Sequence, residues 1–182
     1  MTRILLIRHG EAAKVAGVRD PALTELGHRQ AAELAGAMDW DPAMALVSSP
    51  KSRARQTAEP LARRLERDIV IEPAVNEIPS PRDLPLAERG PWIRSLLDAK
   101  WQQLEQHQLH WREEIISYLQ GLDRDTAVFC HFMVINSVVA YTRDAPEICQ
   151  FRPDYTSVTE LVAANGRLEL VRLGRERDSR ML

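Results

Sequence analysis

The chain has 182 residues, of which 45% are hydrophobic and 27% charged, and its formal net charge is −2. These values are typical of one globular domain, which we expect to span residues 1–182. The slightly negative net charge gives no indication of nucleic-acid binding. Two cysteines, Cys130 and Cys149, indicate neither a disulfide framework nor a zinc site, so we expect a cytoplasmic protein.

Short apolar runs alternate with helical patterns along the N-terminal half. The predicted elements are a strand at Ile4–Ile7, a helix at Leu23–Met38, a strand at Met44–Val47, a helix from Ser49 to about Arg67 and a strand at Asp68–Ile71. The first run is too short for a signal-peptide core or a membrane span. Ser49 is expected to cap the second helix, with Pro50 in its first turn.

The second half of the chain continues the alternation after an irregular, proline-rich loop predicted at about residues 72–90. Its predicted elements are helices at Trp92–Gln106 and Leu109–Leu122, a strand at Ala127–Cys130, a helix at Met133–Tyr141, and strands at Val158–Ala163 and Leu168–Leu173. Asn165 and Gly166 predict a tight hairpin between the last two strands. The fold class is therefore α/β: a three-layer sandwich with a mostly parallel central sheet, helices on both faces and a C-terminal antiparallel hairpin.

Polar residues follow three of the predicted strands. Arg8–Glu11 follows the first strand, Ser48–Pro50 follows the second with Arg53 one turn into the next helix, and His131 follows the fourth. Ligands of open α/β sheets bind beyond the carboxyl ends of the strands. The topology can therefore bring two histidines and two arginines into one cleft.

This set of side chains suits the transfer of a phosphoryl group. Arginine forks match the charged phosphoryl oxygens, and a helix beginning at Ser49 would add backbone donors. An unprotonated imidazole nitrogen is a competent nucleophile near neutral pH. Gly10 is expected to let the backbone pass close to a bound phosphate.

Segments in this order resemble the motifs of the histidine phosphatase superfamily, which includes the cofactor-dependent phosphoglycerate mutases. Arg8–Glu11 after a hydrophobic strand resembles the family's signature, and Ser48–Ala58 resembles its second arginine motif, with Arg53 in the catalytic place. Cys130–Phe132 lies where the family's second histidine follows a late strand. Two more stretches of the chain resemble recurrent segments of the family: Leu23–Gly27 with Gln30–Ala31, and Ser157–Thr159.

The resemblance implies a role for each residue of the set. His9 would be the nucleophile and become phosphohistidine, while Arg8, Arg53 and His131 would bind the transferred phosphoryl group. Glu77 has the place of the carboxylate that protonates the leaving oxygen and later activates water. Three other carboxylates remain open as the proton donor: Glu11, Glu72 and Glu88. Neither a metal nor another cofactor is expected.

Two departures from the family's pattern concern the phosphate pocket. Members often carry an asparagine several residues after the first histidine, where this chain has Lys14, Val15 and Ala16. The second histidine is often followed by glycine, and here Phe132 follows it. Phe132 is expected either to narrow the pocket or to enter the core.

The resulting hypothesis is a metal-independent phosphatase that hydrolyses phosphate monoesters through a phosphohistidine on His9. A phosphoglycerate mutase-type transferase and a non-catalytic module that binds phospho-ligands are the alternatives. The expected partner is a small phosphorylated substrate or a phosphoprotein, with neither nucleic acid nor membrane involved. The sequence leaves the natural substrate and the oligomeric state open, a homodimer included.

Two further groups of residues have competing interpretations. His107 and His110 have a spacing that a metal site can use, but neighbouring glutamines favour a solvated helix face. Arg82, Arg89 and Arg94 either contact the distal part of a substrate or are exposed solubilising charges.

Overall fold

A mixed six-stranded sheet forms the centre of the computed structural model, which describes residues 1–177. Its strands are β1 (Thr2–Arg8), β2 (Ala45–Ser48), β3 (Ile69–Ile71), β4 (Thr126–Cys130), β5 (Val158–Ala164) and β6 (Arg167–Arg172). The spatial order is β3-β2-β4-β1-β5-β6. The first four strands pair in parallel, whereas β5 pairs antiparallel with both β1 and β6. The predicted α/β fold with an antiparallel C-terminal hairpin is confirmed.

Helices cover both faces of this sheet, because β1 sends alternate apolar side chains to opposite sides. The helices are α1 (Glu25–Ala37), α2 (Ser52–Leu65), α3 (Arg89–Ser95), α4 (Gln106–Gln120) and α5 (Phe132–Arg143). Ile4 and Leu6 belong to the core cluster that contains residues of α4 and α5. Leu5 and Ile7 belong to the cluster that contains residues of α1 and α2. No helix within residues 1–177 has the length and apolar character needed to cross a membrane.

The second helix begins later than the sequence predicts. Lys51 is its N-cap residue and Ser52 its first residue, so the prediction that Ser49 caps the helix is wrong. The Ser49 hydroxyl instead lies 2.7 Å from Nε2 of His131, and it accepts a hydrogen bond from the Lys51 amide at 3.2 Å. A tertiary contact therefore replaces the local cap.

A single helix over Trp92–Gln106 is also wrong. Helix α3 ends at Ser95, and two short 3₁₀ turns occupy Leu96–Asp98 and Trp101–Gln103. The interruption has a tertiary cause: the Trp101 amide donates to the Pro146 carbonyl at 3.0 Å, and the Ile148 amide donates to the Ala99 carbonyl at 3.0 Å. This bridge, in which Lys100 pairs with Glu147, holds residues 99 and 100 in an extended conformation. The sequence pattern alone predicts that the helix continues through them.

The proline-rich loop is mostly irregular, with 3₁₀ turns at Pro73–Val75 and Leu86–Glu88. Its first part is fastened to α4, because the Trp111 indole donates to the Asn76 carbonyl at 2.9 Å and the Gln108 side chain donates to the Pro79 carbonyl at 3.1 Å. The segment between these two anchors carries Glu77, so its position is fixed from both sides.

The C-terminal hairpin has the predicted two-residue turn. Asn165 and Gly166 both adopt positive φ angles, 52° and 72°, as a type I′ turn requires. Ala164 pairs with Arg167 across the turn. The turn sets the pairing of β5 with β6, and the other edge of β5 pairs with the central strand β1.

Candidate active site

The three polar strand ends predicted from the sequence meet at one edge of the sheet. The strand pairing extends past the ends of the strands: the His9 amide donates to the Cys130 carbonyl at 3.1 Å, and the Ser49 amide donates to the Phe129 carbonyl at 3.0 Å. Adjacent parallel strands thus deliver these residues side by side. The structure brings together all the residues predicted for the site: Arg8, His9, Arg53, Glu77 and His131.

The imidazole of His9 has one defined tautomer. Its Nδ1 lies 2.7 Å from the Gly10 carbonyl oxygen, which can only accept, so Nδ1 carries the proton. The other nitrogen, Nε2, accepts a hydrogen bond from Nε of Arg53 at 3.2 Å. In this structure the Nε2 lone pair is therefore directed at the Arg53 guanidinium, the group that would attract an anion.

The electrostatic surroundings of His9 favour the same neutral form. The side chain is buried, and burial lowers its pKa well below the ordinary value of 6.5. The positive charges of Arg53 and Arg8 lower this pKa further, against the opposing effect of the Gly10 hydrogen bond. The imidazole is consequently unprotonated at neutral pH, as a nucleophile requires.

Arg53 lies in the first turn of α2, where a loop carboxylate supports it. Its Nη1 is 4.0 Å from Oδ1 of Asp20. Asp20 also accepts hydrogen bonds from the amide of Ser52 at 2.9 Å and from its hydroxyl at 2.7 Å. Asp20 therefore satisfies a free donor at the start of the helix and contacts the arginine at the same time.

The Arg8 guanidinium contacts two aromatic rings. Its Cζ is 4.3 Å from the centroid of Tyr155 and 5.3 Å from that of Phe132, and its Nη1 donates to the Pro153 carbonyl at 2.8 Å. Its Nε is buried without a hydrogen-bond partner among residues 1–177. Phe132 thus borders the site beside Arg8 and also packs against the core. The two expectations for this residue, a place at the pocket and a place in the core, are therefore not exclusive.

His131 faces His9 from the end of β4, with ring centroids 5.4 Å apart. Its Nε2 lies 2.7 Å from the Ser49 hydroxyl, and its Nδ1 is buried without a hydrogen-bond partner in the described part of the chain. Burial lowers the pKa of this imidazole well below 6.5, and nearby Arg53 lowers it further. A neutral ring with one occupied nitrogen leaves the other free to contact a ligand.

Glu77 is the carboxylate nearest to these groups among the candidates. Its Oε2 is 3.8 Å from Nδ1 of His131, and its side chain is 9% exposed. The Glu72 carboxylate instead accepts from the Ala74 amide at 2.9 Å, and the Glu11 carboxylate accepts from a threonine hydroxyl at 2.9 Å. Glu88 is exposed at the start of α3.

Gly10 packs the loop after β1 against the start of α1. A Cβ at Gly10 would lie 2.7 Å from the Gly27 carbonyl oxygen, so the close approach that this glycine permits is to the protein itself. The Gly10 amide donates to Thr57 Oγ1 at 2.9 Å, and that hydroxyl donates to the Arg53 carbonyl at 2.7 Å. Thr57 therefore connects the backbone of the two segments that carry His9 and Arg53.

Sequence reasoning missed several residues of this site: Ser49 as the partner of His131, and Thr57, Asp20 and Tyr155. Tyr155 lies two residues before the Ser157–Thr159 segment, which was the available signal. Lys14–Ala16, which stand where the family often has asparagine, lie on an exposed loop, with Val15 55% exposed.

The two histidines of α4 lie outside the site. His107 Nε2 is 3.0 Å from the Ser80 carbonyl oxygen, and His110 is exposed beside Glu113 and Glu114. Within residues 1–177, no group of three or more His, Cys, Asp or Glu side chains is arranged to hold a metal ion.

The fold and these side chains form a buried, cationic cleft with a histidine at its centre. The sequence profile of the Histidine phosphatase superfamily (branch 1) matches residues 4–176. The chain belongs to this superfamily.

Curated relatives include proteins named as probable phosphoglycerate mutases and one named as a bifunctional protein. The chain is 32% identical over 83 residues to a probable phosphoglycerate mutase GpmB of Photorhabdus laumondii, covering 43% of this chain and 39% of that protein. It is 40% identical over 77 residues to the bifunctional protein Rv2228c of Mycobacterium tuberculosis, covering 39% of this chain and 21% of that protein. The chain thus spans less than half the length of these curated relatives.

Solved structures of the same fold cover nearly the whole chain. The native mycobacterial glucosyl-3-phosphoglycerate phosphatase Rv2419c has a TM-score of 0.74 at 19% identity, covering 97% of this chain and 100% of that one. Bacillus stearothermophilus YhfR has a TM-score of 0.75 at 21% identity, covering 94% and 96%. At these identities the likeness concerns the fold.

Proposed function

We propose that this protein is a metal-independent phosphatase that hydrolyses phosphate monoesters through a phosphohistidine on His9. The observation that carries the proposal is the fixed tautomer of His9, whose Nε2 lone pair lies beside Arg53 in a buried, cationic site. The substrate is a small phosphorylated molecule or a phosphoprotein. We place its action in the cytoplasm, since both cysteines are free thiols.

In the first step, the Arg53 guanidinium exchanges its hydrogen bond to Nε2 of His9 for the phosphoryl oxygens. The freed Nε2 attacks phosphorus, and the P–O bond to the leaving group breaks. Arg8 and Arg53 neutralise charge on the phosphoryl oxygens, and Nδ1 of His131 donates to one of them. This role requires the tautomer in which the Ser49 hydroxyl, 2.7 Å away, donates to Nε2 of His131 and the proton stays on Nδ1. Protonated Glu77 gives its proton to the leaving oxygen, so an alcohol departs.

In the second step, water attacks phosphorus and the P–N bond to His9 breaks. The Glu77 carboxylate, now ionised, takes a proton from this water. Inorganic phosphate leaves, and both His9 and Glu77 return to their starting protonation states. The buried Nε of Arg8 and Nδ1 of His131, which lack protein partners among residues 1–177, gain partners in the bound phosphoryl oxygens.

The test is to isolate the covalent intermediate. Protein mixed with a phosphate ester labelled in its phosphoryl group, then quenched in alkali, should retain the label, and acid should release it. His9→Asn should abolish both the label and the release of phosphate. The matched control is His110→Asn, because that histidine is exposed on α4 and should leave both unchanged.

The two alternative functions, a mutase and a non-catalytic binding module, predict different results in assays of phosphoryl exchange and phosphate binding. Exchange of the phosphoryl group between the two phosphoglycerates, faster than phosphate release, would identify a mutase. Saturable binding of phosphate with no label and no hydrolysis across a broad panel of esters would identify a binding module. Either outcome would overturn the proposed hydrolase.

A further inference from the structure

A buried amide side chain on α5, that of Asn136, joins two parts of the backbone that lie near Arg8. Its Nδ2 donates to the Phe132 carbonyl at 3.1 Å, and its Oδ1 accepts from the amides of Gln150 at 2.7 Å and Phe151 at 3.1 Å. A backbone N–H can only donate and a carbonyl can only accept, so a single orientation of Asn136 satisfies all three contacts. The side chain therefore ties the first turn of α5 to residues 150–151.

Residues 150–151 begin a segment that contacts the Arg8 guanidinium farther along the chain. The Phe151 side chain is buried in the core, which fixes the start of this segment. After it, the Pro153 carbonyl accepts from Nη1 of Arg8 at 2.8 Å, and the Tyr155 ring centroid lies 4.3 Å from Cζ of Arg8. The position of this segment therefore decides where two contacts of the guanidinium lie.

A third contact of the guanidinium comes from the other partner of Asn136. The Phe132 ring centroid lies 5.3 Å from Cζ of Arg8. Within residues 1–177, no carboxylate oxygen lies within 4.0 Å of an Arg8 nitrogen, so no ion pair orients this group. The two rings and the carbonyl that contact it all belong to the segments that Asn136 joins.

The segment of residues 150–155 has a second anchor, but that one lies near the surface. The Asp154 amide donates to the Arg175 carbonyl at 2.9 Å. Arg175 is exposed, whereas Asn136 is fully buried. Water can replace a lost hydrogen-bond partner at the surface but not in the core, so the contacts of Asn136 are the costlier ones to lose.

We propose that Asn136 is a positioning residue for Arg8. By joining the first turn of α5 to the segment of residues 150–155, it sets the orientation of the guanidinium and so the affinity of the site for a phosphoryl group. Asn136 is fully buried, so it acts through Arg8 and not by contact with a ligand. The inference rests on the proposed function in one respect, the role of Arg8 in binding the phosphoryl group.

The test measures the binding of inorganic phosphate by calorimetry and so does not depend on turnover. Asn136→Ala leaves the two amides of residues 150–151 without their acceptor, and the segment that they begin is then free to shift. We expect the Kd of phosphate to rise at least about tenfold, because a displaced guanidinium loses its charge-assisted hydrogen bonds to the anion.

A second background shows whether the effect passes through Arg8. Arg8→Lys keeps a positive charge at this position but loses the guanidinium that Pro153 and Tyr155 contact. In this background Asn136→Ala should change the Kd less than about twofold, since the group that it misplaces is already gone. A merely structural asparagine would give the same fold-change in both backgrounds.

Ser137→Ala is the matched control. Ser137 is the next residue of α5 and is equally buried, but its hydroxyl has no hydrogen-bond partner among residues 1–177. This variant should bind phosphate as the unmodified protein does. Melting curves of all variants check folding. If Asn136→Ala unfolds, Asn136→Ser replaces it, and the Kd should then rise about three- to tenfold because a shorter acceptor remains.

Three results would overturn the inference: an unchanged Kd in a folded Asn136 variant, an increase of the same size in the Arg8→Lys background, or no binding of phosphate to the unmodified protein. A protein that shows the expected Kd pattern but hydrolyses no ester would instead overturn the proposed phosphatase activity and leave the role of Asn136 standing. The two failures are therefore distinguishable.

Discussion

The guanidinium of Arg8 lies against the face of Tyr155, with Cζ 4.3 Å from the ring centroid. The same ring has Arg177 4.9 Å from its centroid, and its own centroid is 6.1 Å from that of His9. The backbone joins the two partners as well, since the Thr156 amide donates to the Arg8 carbonyl at 2.9 Å. Tyr155 is thus a positioning residue for the first arginine of the site.

The effect of replacing Tyr155 should therefore depend on whether the aromatic ring is kept, and not on whether the hydroxyl is kept. We expect Tyr155→Leu to lower kcat/KM for an aryl phosphate about tenfold, since a desolvated cation–π contact is worth about 1–2 kcal/mol. Tyr155→Phe should retain most of the activity because it keeps the ring face. Equal activity in the two variants, whether high or low, would show that the ring does not orient Arg8.

Glu77→Gln tests the proton donor. We expect phosphate release from an alkyl phosphate to fall about 10²- to 10⁴-fold, because the alkoxide must then leave without a proton. The fall in the rate of leaving-group release should be much smaller for a nitrophenyl phosphate, whose leaving group needs little protonation.

Glu72→Gln is the control for this prediction, since that carboxylate caps the Ala74 amide in the same loop. It should affect the two esters equally and modestly. If Glu77→Gln slows both leaving groups to the same extent, another group supplies the proton.

The two buried histidines predict a pH dependence of stability. Their pKa values lie well below 6.5 in the folded protein, whereas the unfolded chain protonates them near 6.5. Below that pH the unfolded state binds more protons, so the free energy of unfolding falls as pH drops, by up to about 1.4 kcal/mol per pH unit for each histidine. The loss continues until the lowered folded pKa is reached.

Urea unfolding at about pH 7.5 and about pH 5.5 measures this effect. His9→Asn removes one of the two groups and should lose less stability between these pH values than the unmodified protein. His110→Asn, which removes an exposed histidine, should leave the difference as it was. Identical differences in all three proteins would mean that burial does not keep His9 neutral.

Two glycines of α1 predict opposite effects of the same substitution. A Cβ at Gly27 would lie 2.1 Å from the Glu11 carbonyl oxygen, so Gly27→Ala should destabilise the fold by about 1–3 kcal/mol and displace the loop after His9. Gly36 has open space around its Cβ position, so Gly36→Ala should stabilise by up to about 1 kcal/mol through helix propensity. Urea titrations measure both, and a stable, fully active Gly27→Ala protein would contradict this packing.

Local sequence patterns were sufficient to predict elements whose conformation follows from hydrophobic patterning or from turn residues. The apolar run Ile4–Ile7 predicted a strand buried on both faces, and Asn165-Gly166 predicted the turn between β5 and β6. In both places the local preference agrees with the tertiary structure. The interruption before Trp101 could not be read from the sequence, since it depends on pairing with residues 146–148. Helical spacing continues across that interruption.

The site divides in the same way. His9 and Arg53 stand in recognisable motifs, so the sequence predicted their proximity, whereas Ser49 had a plausible local role as a helix cap. Its contact with His131 spans 82 residues of the chain and has no local signature. Tyr155 likewise contacts Arg8 only because β5 pairs with β1.

The central place of β1 has a consequence for how the protein is made. Both of its partners come late in the chain, β4 at Thr126–Cys130 and β5 at Val158–Ala164. During synthesis from the N-terminus, β1, which ends just before His9, therefore stays unpaired until β4 and β5 have left the ribosome. His9, the proposed nucleophile, reaches its final surroundings only after β4 and β5 have paired with β1, so we expect activity in a nascent chain to report that folding is complete.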